Sequence, residues 1–428
     1  MSHPLTKAAL SIALCTLLVA CQRPAPEATT SPTPAATSAP APTTAPTTAA
    51  AAPASAAAAT DLEQLAQRLV TQSAAVKDGD LVMITGRAHD AELLENIAVQ
   101  VRKVGGFPMI EYSSDRLAKR LFFDVPEKYD SQVSGWGTQL SGAADVVISL
   151  GNNLTEDLFE GADPKRVAAR AKAGESIGQA MLKRNVRSVE IGNNLYPTGW
   201  RATRLGMAED ELGKMFWSAV NMDYTDLKAR GAQVKAALAG GNEVRITHPN
   251  GTDLKLQIKG RPVLVSDGVI SADDIKAGGP AVAVYLPAGE VYTTPVPGTA
   301  EGKLVDSRSF YRGQQIDNLT LTVAGGKVTA ISGSGPGYAG FKAEYDAVTD
   351  ARKDLFGYVD LGINTNVKLP ATSQVGNWVP AGTVSLGTGS NVWAGGDNSV
   401  TYGINVFLPG STVSLDGKPI VEGGALKL

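Results

Sequence analysis

Histidine and cysteine are scarce in this chain, which has 3 His and 2 Cys among 428 residues. Neither sign of charge dominates, because 39 Lys and Arg face 42 Asp and Glu. A nucleic-acid-binding protein needs a basic excess that displaces counterions from phosphates, so we expect no nucleic-acid partner. The sequence also contains no P-loop, no Cys-x-x-Cys and no His-Glu-x-x-His. These absences exclude the common nucleotide, redox and zinc-hydrolase motifs.

No apolar run at the N-terminus is long enough to span a bilayer, which takes about 20 helical residues. The run from Ala8 to Ala20 follows Lys7, an order typical of a signal peptide. It ends in Leu18-Val19-Ala20-Cys21, which resembles a bacterial lipobox. That resemblance implies that residues 1–20 are removed and that Cys21 is acylated; the alternative is an ordinary signal peptide with a chance Cys. Gln22 resembles the outer-membrane sorting pattern, so we expect a lipid-anchored protein that faces the periplasm.

The segment after the leader has almost no apolar side chains larger than alanine. Residues 22–60 are nearly all Ala, Pro, Thr and Ser, a composition that cannot bury a core. We therefore predict that residues 21–60 form a lipidated, disordered tether. Because Cys15 leaves with the leader and lipid blocks Cys21, the mature chain is expected to have no disulfide.

From residue 61 to residue 240, short apolar runs alternate with amphipathic stretches. Predicted strands are 81–85, 107–111, 144–150 and 186–191, and predicted helices are 61–76, 90–104, 163–183, 207–220 and 224–239. Asp90 stands where it would cap a helix, and Asp163-Pro164 is a favourable helix start. The alternation is typical of βαβ units, so we predict an α/β domain with a parallel sheet over 61–240.

After Gly240-Gly241 the sequence favours antiparallel strands. Residues 244–247 and 253–258 alternate around His248-Pro249-Asn250-Gly251, which is typical of a hairpin. Strand and turn signals continue to the C-terminus, with one helical stretch near 340–355. We predict a mainly antiparallel β domain over 241–428, formed by a sheet closed on itself.

A glycine-rich segment, Gly335-Pro336-Gly337-Tyr338-Ala339-Gly340, fits the dinucleotide fingerprint and precedes the helical stretch. The strand before it, 328–332, follows a turn of the antiparallel half. The fingerprint requires a βαβ setting, so we do not expect nucleotide binding there.

The segment Leu286-Pro287-Ala288-Gly289-Glu290-Val291-Tyr292-Thr293-Thr294-Pro295 resembles the thermophilic metallo-aminopeptidase family, of the aminopeptidase T and S types. In that family this phrase carries a metal-binding glutamate. Further segments that resemble the family occur in the same order, at 196–200, 205–212, 250–254 and 360–366. The resemblance covers roughly residues 61–370 and implies a homodimeric enzyme that removes residues from peptide N-termini.

The family's ligand set is incomplete in this sequence. The resemblance implies two divalent ions held by two glutamates, two histidines and an aspartate. Glu290 takes the first glutamate position and Asp360 the second. The expected Gly-Thr-x-His phrase reads Gly382-Thr383-Val384-Ser385, and the expected His-x-Asp phrase falls on 399–403, which has neither residue. We therefore expect Glu290 and Asp360 to be what remains of the metal ligands.

The histidine count supports this expectation, because His3, His89 and His248 all precede Glu290. Imidazole favours zinc and cobalt, whereas oxygen ligands favour calcium, magnesium or manganese. The sequence thus argues against a zinc or cobalt pair and leaves open a divalent ion held by oxygen atoms. Further carboxylates for such a site are Glu301, Asp306 and Asp397, which are otherwise solvated loop residues.

Other side chains have both a functional and a structural interpretation. His89 is either a site residue at the carboxyl edge of the sheet or the neighbour of a helix cap. Ser385 has no histidine partner and is a weak candidate for a nucleophile. The aromatic residues of the C-terminal half are interpreted as packing or as an aromatic ligand cleft, and they are Trp378, Trp393, Tyr402 and Phe407.

Two functional hypotheses follow, both centred on a cleft between the two domains around Glu290 and Asp360. The first is a membrane-anchored metallo-aminopeptidase. The second is a catalytically inactive relative that binds a peptide or a cell-envelope ligand in the former active-site cleft. Bound metal and release of leucine from a chromogenic amide distinguish the two.

Overall fold

A computed structural model describes residues 60–400 and 402–428 of the chain. The predicted leader, the Cys21 lipidation site and the tether up to residue 59 lie outside the described residues. No helix in the described ranges is both long enough and apolar enough to cross a bilayer. The described chain forms one parallel sheet and two antiparallel sheets, which confirms the predicted α/β plus β-rich fold class.

The first part of the chain alternates strands and helices, as predicted. Its strands are β1 (Leu81–Arg87), β2 (Phe107–Ser113), β3 (Val146–Leu150) and β4 (Arg187–Ile191). Its helices are α1 (Leu62–Arg68), α2 (Ala91–Lys103), α3 (Asp115–Phe123), α4 (Gly135–Ala143), α5 (Pro164–Lys183), α6 (Gly199–Leu205), α7 (Glu209–Val220) and α8 (Tyr224–Gly240).

The second part is mainly antiparallel. Its strands are β5 (Glu243–His248), β6 (Thr252–Gln257), β7 (Val263–Ser266), β8 (Ala283–Leu286), β9 (Glu290–Thr293), β10 (Glu301–Tyr311), β11 (Gln314–Ala324), β12 (Lys327–Ser334), β13 (Phe356–Gly362), β14 (Val384–Thr388), β15 (Asn405–Leu408), β16 (Thr412–Leu415), β17 (Lys418–Glu422) and β18 (Ala425–Leu426). Among its described residues, the α-helices are α9 (Ala272–Ala277) and α10 (Tyr338–Ala347).

The parallel sheet has the order β2-β1-β3-β4-β8. Strand β8 pairs in parallel with β4, although it lies beyond residue 240. Val82, Ile84 and Ile148 point to the side of the sheet that packs against α2. Met83 and Val147 point to the other side, where α5 contributes Met181. A parallel sheet covered on both faces explains why these strands are continuous apolar runs.

The antiparallel strands form two separate sheets, so the prediction of one sheet closed on itself is wrong. The larger has the order β12-β11-β10-β6-β5-β16-β17-β18, and the smaller has the order β15-β14-β13-β9-β7. The predicted hairpin around 248–251 is confirmed as β5 and β6 in the larger sheet. Strand β12, before the glycine-rich segment, pairs antiparallel with β11, which confirms that the setting for a dinucleotide site is missing.

Two local predictions need correction. The helix predicted over 207–220 begins later, at Glu209, because Gly206 has φ +68° and ends α6 in a left-handed turn. Asp90 precedes α2 but its side chain does not cap that helix. Its carboxylate instead accepts hydrogen bonds from Asn152 Nδ2 at 2.6 Å and Tyr196 Oη at 2.8 Å.

Candidate functional site

Glu290 and Asp360 lie on paired strands in the smaller antiparallel sheet. In the register of β9 and β13, Asp360 is opposite Tyr292 and Glu290 is opposite Gly362. Asp360 is also opposite Ser385 of β14. Because strand side chains alternate with period 2, both carboxylates share one face of the sheet. Both are fully buried, with 0% of their surface exposed.

The opposite face of this sheet is apolar, which fixes the direction of the carboxylates. Val291, Val359, Leu361 and Leu386 all point into the main hydrophobic core. A shift of the register by one residue would send both carboxylates into that core. The alternation along β9 and β13 therefore holds Glu290 and Asp360 on the face opposite the main core.

The glycine before Glu290 permits close contact between two loops. Gly289 has φ +131°, and a Cβ there would lie 2.5 Å from Asn364 Cβ. The two loops are joined by hydrogen bonds, from Ile363 N to Gly289 O at 2.8 Å and from Asn364 Nδ2 to Ala288 O at 2.6 Å. The Leu-Pro-x-Gly-Glu phrase thus encodes the geometry that brings β9 alongside the end of β13.

Asn193, which the sequence analysis missed, connects the parallel sheet to Glu290. Its Nδ2 donates to Glu290 Oε1 at 2.6 Å and to Pro287 O at 3.0 Å. Its backbone N–H donates to Glu190 Oε2 at 2.9 Å, at the carboxyl end of β4. Asn193 has φ +40° and Asn194 has φ +60°, in the left-handed region that few residues other than glycine adopt. The sequence feature that could have identified Asn193 is the Gly192-Asn193-Asn194 turn, which follows a predicted strand at the carboxyl edge of the parallel sheet.

Three buried tyrosines respond to the negative charge of this site. Burial raises the pKa of Tyr292 well above its usual value, and Glu290 and Asp360 raise it further. Burial also raises the pKa of Tyr358, with smaller contributions from the same two carboxylates. The pKa of Tyr285, on β8, is raised by burial and then by nearby charges that include Glu290. All three therefore keep their protons at neutral pH.

Aromatic rings lie on the same face of the sheet as the two carboxylates. The ring centroid of Trp393 lies 5.0 Å from that of Tyr292 and 4.7 Å from that of Tyr358. Trp378 lies 4.9 Å from Phe407, and its Nε1 donates to Tyr358 Oη at 3.4 Å. These contacts confirm aromatic packing, and they place that packing on the face that carries Glu290 and Asp360.

Tyr402, the fourth predicted aromatic residue, belongs to another cluster, since its ring lies 6.1 Å from that of Tyr345.

His89 lies in a short 3-10 turn, with Nε2 3.2 Å from Asp90 Oδ2, at the carboxyl edge of the parallel sheet. His248 ends β5 in the larger antiparallel sheet, where its Nε2 is 3.2 Å from Pro409 O.

The additional carboxylates proposed for an oxygen-ligand site occupy other places. Glu301 is exposed and its Oε1 accepts from Gly325 N at 2.6 Å, which closes a turn. Asp397 is exposed, and burial raises the pKa of Asp306 on β10. Over residues 60–400 and 402–428 no three His, Cys, Asp or Glu side chains gather as a metal-binding group.

This donor set does not fit a zinc or cobalt pair. The carboxylates of Glu290 and Asp360 are surrounded by protonated tyrosines and by the hydroxyl-bearing Ser385, and one carboxylate oxygen accepts from the Asn193 amide. Zinc and cobalt sites take nitrogen or sulfur ligands in addition to carboxylates.

Family comparison agrees with the segment around Glu290. The model of the thermophilic metalloprotease (M29) family matches residues 58–337, well over half of the chain. The chain belongs to the M29 family. The match includes the Leu-Pro-x-Gly-Glu phrase and Asn193, and it ends before Asp360. A comparison with curated proteins finds no match.

Two solved structures share the fold of this M29 member. Wild-type AmpT from Thermus thermophilus is 16% identical with a TM-score of 0.62, over 86% of this chain and 99% of that chain. 2,5-Dihydroxypyridine dioxygenase from Pseudomonas putida KT2440 is 15% identical with a TM-score of 0.56, over 87% of this chain and 98% of that one. At this identity the likeness to both structures shows the fold alone.

Proposed function

We propose that this M29 member binds the free amino terminus of a peptide, or an amine-bearing envelope component, without hydrolysing it. The observation that carries the proposal is the pair of fully buried carboxylates on an aromatic face, Glu290 and Asp360. A pair of buried carboxyl groups favours a bound cation, because the low dielectric of the interior screens the attraction little. A peptide ammonium group is a cation that such a site would bind.

The rings around the carboxylates favour the same ligand. Tyr292, Tyr358 and Trp393 pack on one another beside Asp360. Aromatic faces attract ammonium groups through the ring quadrupole, by about 0.5–2 kcal/mol. An ammonium group between carboxylates and rings would therefore gain from both interactions.

The second candidate function is metal-dependent aminopeptidase activity. It is favoured by M29 membership and by the adjacency of Glu290 and Asp360 on paired strands. A divalent ion held by oxygen atoms would occupy the position that the first proposal gives to the ammonium group.

Calorimetry separates these functions. Leu-Gly-Gly and its N-acetylated form are titrated into protein freed of metal with EDTA. The proposal expects binding of the free peptide alone, and loss of binding in Glu290→Gln and Asp360→Asn but not in the exposed control Glu301→Gln. Absence of binding to the free peptide contradicts it.

Turnover of a leucine chromogenic amide with zinc, cobalt, manganese and magnesium completes the test. Metal-dependent turnover that Glu290→Gln abolishes overturns the binding-only proposal and supports the aminopeptidase. No turnover with any of the four ions removes the second candidate.

We further propose that Cys21 anchors the protein to the outer membrane, facing the periplasm. The lipobox and Gln22 support this proposal. Expressed in a Gram-negative host, the chain is expected to incorporate radioactive palmitate, and Cys21→Ser is expected to abolish the label. Gln22→Asp is expected to shift the protein to inner-membrane fractions. Label that persists in Cys21→Ser contradicts lipidation at this residue.

A further inference from the structure

The connection between β13 and β14 is long and contains no helix or strand over residues 365–379, all of which are described. Irregular connections of this length inside a compact domain usually have a function, such as covering a site. Val367 and Val379 are buried at the two ends of the connection, at 2% and 0% exposure. Between them, residues 370–378, here called the strap, are partly or fully exposed apart from Asn377.

The C-terminal end of the strap lies on the carboxylate face. A Cβ on Gly376 would be 2.2 Å from Cγ of Phe407, so the strap backbone is in close contact with that ring. Phe407 is opposite Ser385 in the sheet, and Ser385 is opposite Asp360. The strap therefore covers the side chains that surround Asp360.

One strap residue is linked to Glu290 through a single intermediate. Asn377 Nδ2 donates to the backbone oxygen of Asn193 at 2.8 Å. Asn193 in turn donates to Glu290 Oε1 at 2.6 Å. Movement of the strap would thus break one of the contacts that hold Asn193, the residue that donates to Glu290.

Two arginines hold the middle of the strap from outside. Arg204 Nη1 donates to Gln374 Oε1 at 2.8 Å, and Gln374 N donates to Arg204 O at 2.7 Å. Arg308 Nη2 donates to Thr372 O at 2.7 Å and to Ser373 O at 3.2 Å. The Arg308 contacts are exposed to solvent and the Arg204 side-chain contact is partly buried. Exposed hydrogen bonds of this kind open locally at small free-energy cost.

We propose that the strap opens as a unit between Val367 and Val379 and so admits a ligand to Glu290 and Asp360. The opening breaks the Arg204, Arg308 and Asn377 contacts and the contacts of Trp378 with Tyr358 and Phe407, while the two sheets stay intact. The inference rests on the proposed function only for the identity of the ligand.

Thiol labelling tests the opening without any ligand. In a full chain carrying Cys15→Ser and Cys21→Ser, a single Ser385→Cys is placed beneath the strap and labelled with a disulfide reagent. The matched control is Ser73→Cys, which is 1% exposed next to α1 and distant from the strap in sequence. If Ser385→Cys does not fold, Ser266→Cys, opposite Glu290 on β7, replaces it.

Labelling of Ser385→Cys is expected to depend weakly on urea, as local opening does, and labelling of Ser73→Cys steeply, as global unfolding does. Arg204→Ala with Arg308→Ala is expected to accelerate labelling beneath the strap roughly tenfold relative to the control, equivalent to about 1.4 kcal/mol. Equal urea dependence at both sites, or no acceleration, overturns the proposal.

A disulfide then connects opening to the ligand. A Cβ on Gly206 would lie 3.6 Å from Thr372 Cβ, within the range that a disulfide spans. Gly206→Cys with Thr372→Cys is expected to abolish binding of Leu-Gly-Gly when oxidised and to restore it when reduced. If the oxidised variant binds Leu-Gly-Gly as well as the reduced one, the proposal that the strap must open is contradicted. If thiol labelling shows the expected opening but no variant binds the peptide, the strap proposal is supported and the proposed function is contradicted.

Discussion

At the scale of single residues, the hydrogen bond from Asn193 to Glu290 is one of the contacts that join the parallel sheet to the smaller antiparallel sheet. The amide–carboxylate hydrogen bond is 2.6 Å long, and both residues are buried. A hydrogen bond to a charged group contributes about 1.5–3 kcal/mol, and a buried group that loses its partner costs a similar amount.

Exchanging the amide of Asn193 and the carboxylate of Glu290 tests this contact. Asn193→Asp sets two carboxylates against each other and is expected to lower the free energy of unfolding at pH 7 by about 2–4 kcal/mol. Adding Glu290→Gln restores one amide and one carboxylate, and should recover more than half of the loss. Urea denaturation of the two single variants and the double variant gives the coupling energy. Additive losses would contradict a direct contact.

Asp90 provides a second prediction at this scale. Burial raises its pKa, but hydrogen bonds from His89, Asn152 and Tyr196 outweigh burial and leave the pKa below 3.8. A lowered folded-state pKa stabilises the fold above the unfolded value, and that stabilisation is lost as pH falls through the folded value. Asp90→Asn should therefore cost about 1–3 kcal/mol at pH 6, and less as the pH falls below about 4. Urea denaturation from pH 6 to pH 3 measures it; a difference that grows in acid would contradict the assignment.

At the scale of elements, the turn from β8 into β9 depends on Gly289. Its φ of +131° strains any other residue, by about 1–3 kcal/mol, and a Cβ would also meet Asn364. Gly289→Ala is therefore expected to destabilise the protein more than Gly260→Ala does. Gly260 also has positive φ, +73°, but has open space where its Cβ would be. Urea denaturation of both variants separates backbone strain from the steric contact, and equal losses would argue against the contact.

Much of the element order could be predicted from periodicity. The strands β1 to β4 and the helices α2, α5 and α8 are apolar or amphipathic over their whole length, so the local signal was sufficient. Helix α4 was not predicted, because its Gly135, Gly137 and Gly142 weaken the helical signal. Helix α3 was also missed, although Ser114 caps it and its charged and apolar residues alternate at helical spacing over nine residues.

Partner choice was harder to predict than element type. Residues 283–286 fall in the half of the chain that was predicted to be mainly antiparallel, yet they form β8, which pairs with β4 in the parallel sheet. The sequence of a strand predicts that it is a strand but does not determine which neighbouring strand it pairs with. The same limit applies to the site, because the family phrase identified Glu290, whereas the role of Asn193 depends on a contact between residues 97 positions apart.

At the scale of the whole molecule, the parallel sheet is completed by the second half of the chain. Tyr285 and Leu286 of β8 are buried at 5% and 0% exposure against β4. A fragment that ends at residue 240 would expose the β4 edge and the apolar surface that β8 covers.

We expect a fragment ending at residue 240 to be protease-sensitive and to lack a cooperative unfolding transition. Circular dichroism and limited proteolysis of this fragment, beside the full chain, measure the effect. In the full chain, Leu286→Ala is expected to lower the free energy of unfolding by about 2–5 kcal/mol. A fragment that melts cooperatively on its own would show that the first half folds independently.

The position of β8 has a further consequence during synthesis. Some 286 residues must leave the ribosome before the first sheet can close. Throughout that interval the β4 edge stays available for wrong pairing, so the nascent polypeptide would need a chaperone until its fifth parallel strand arrives.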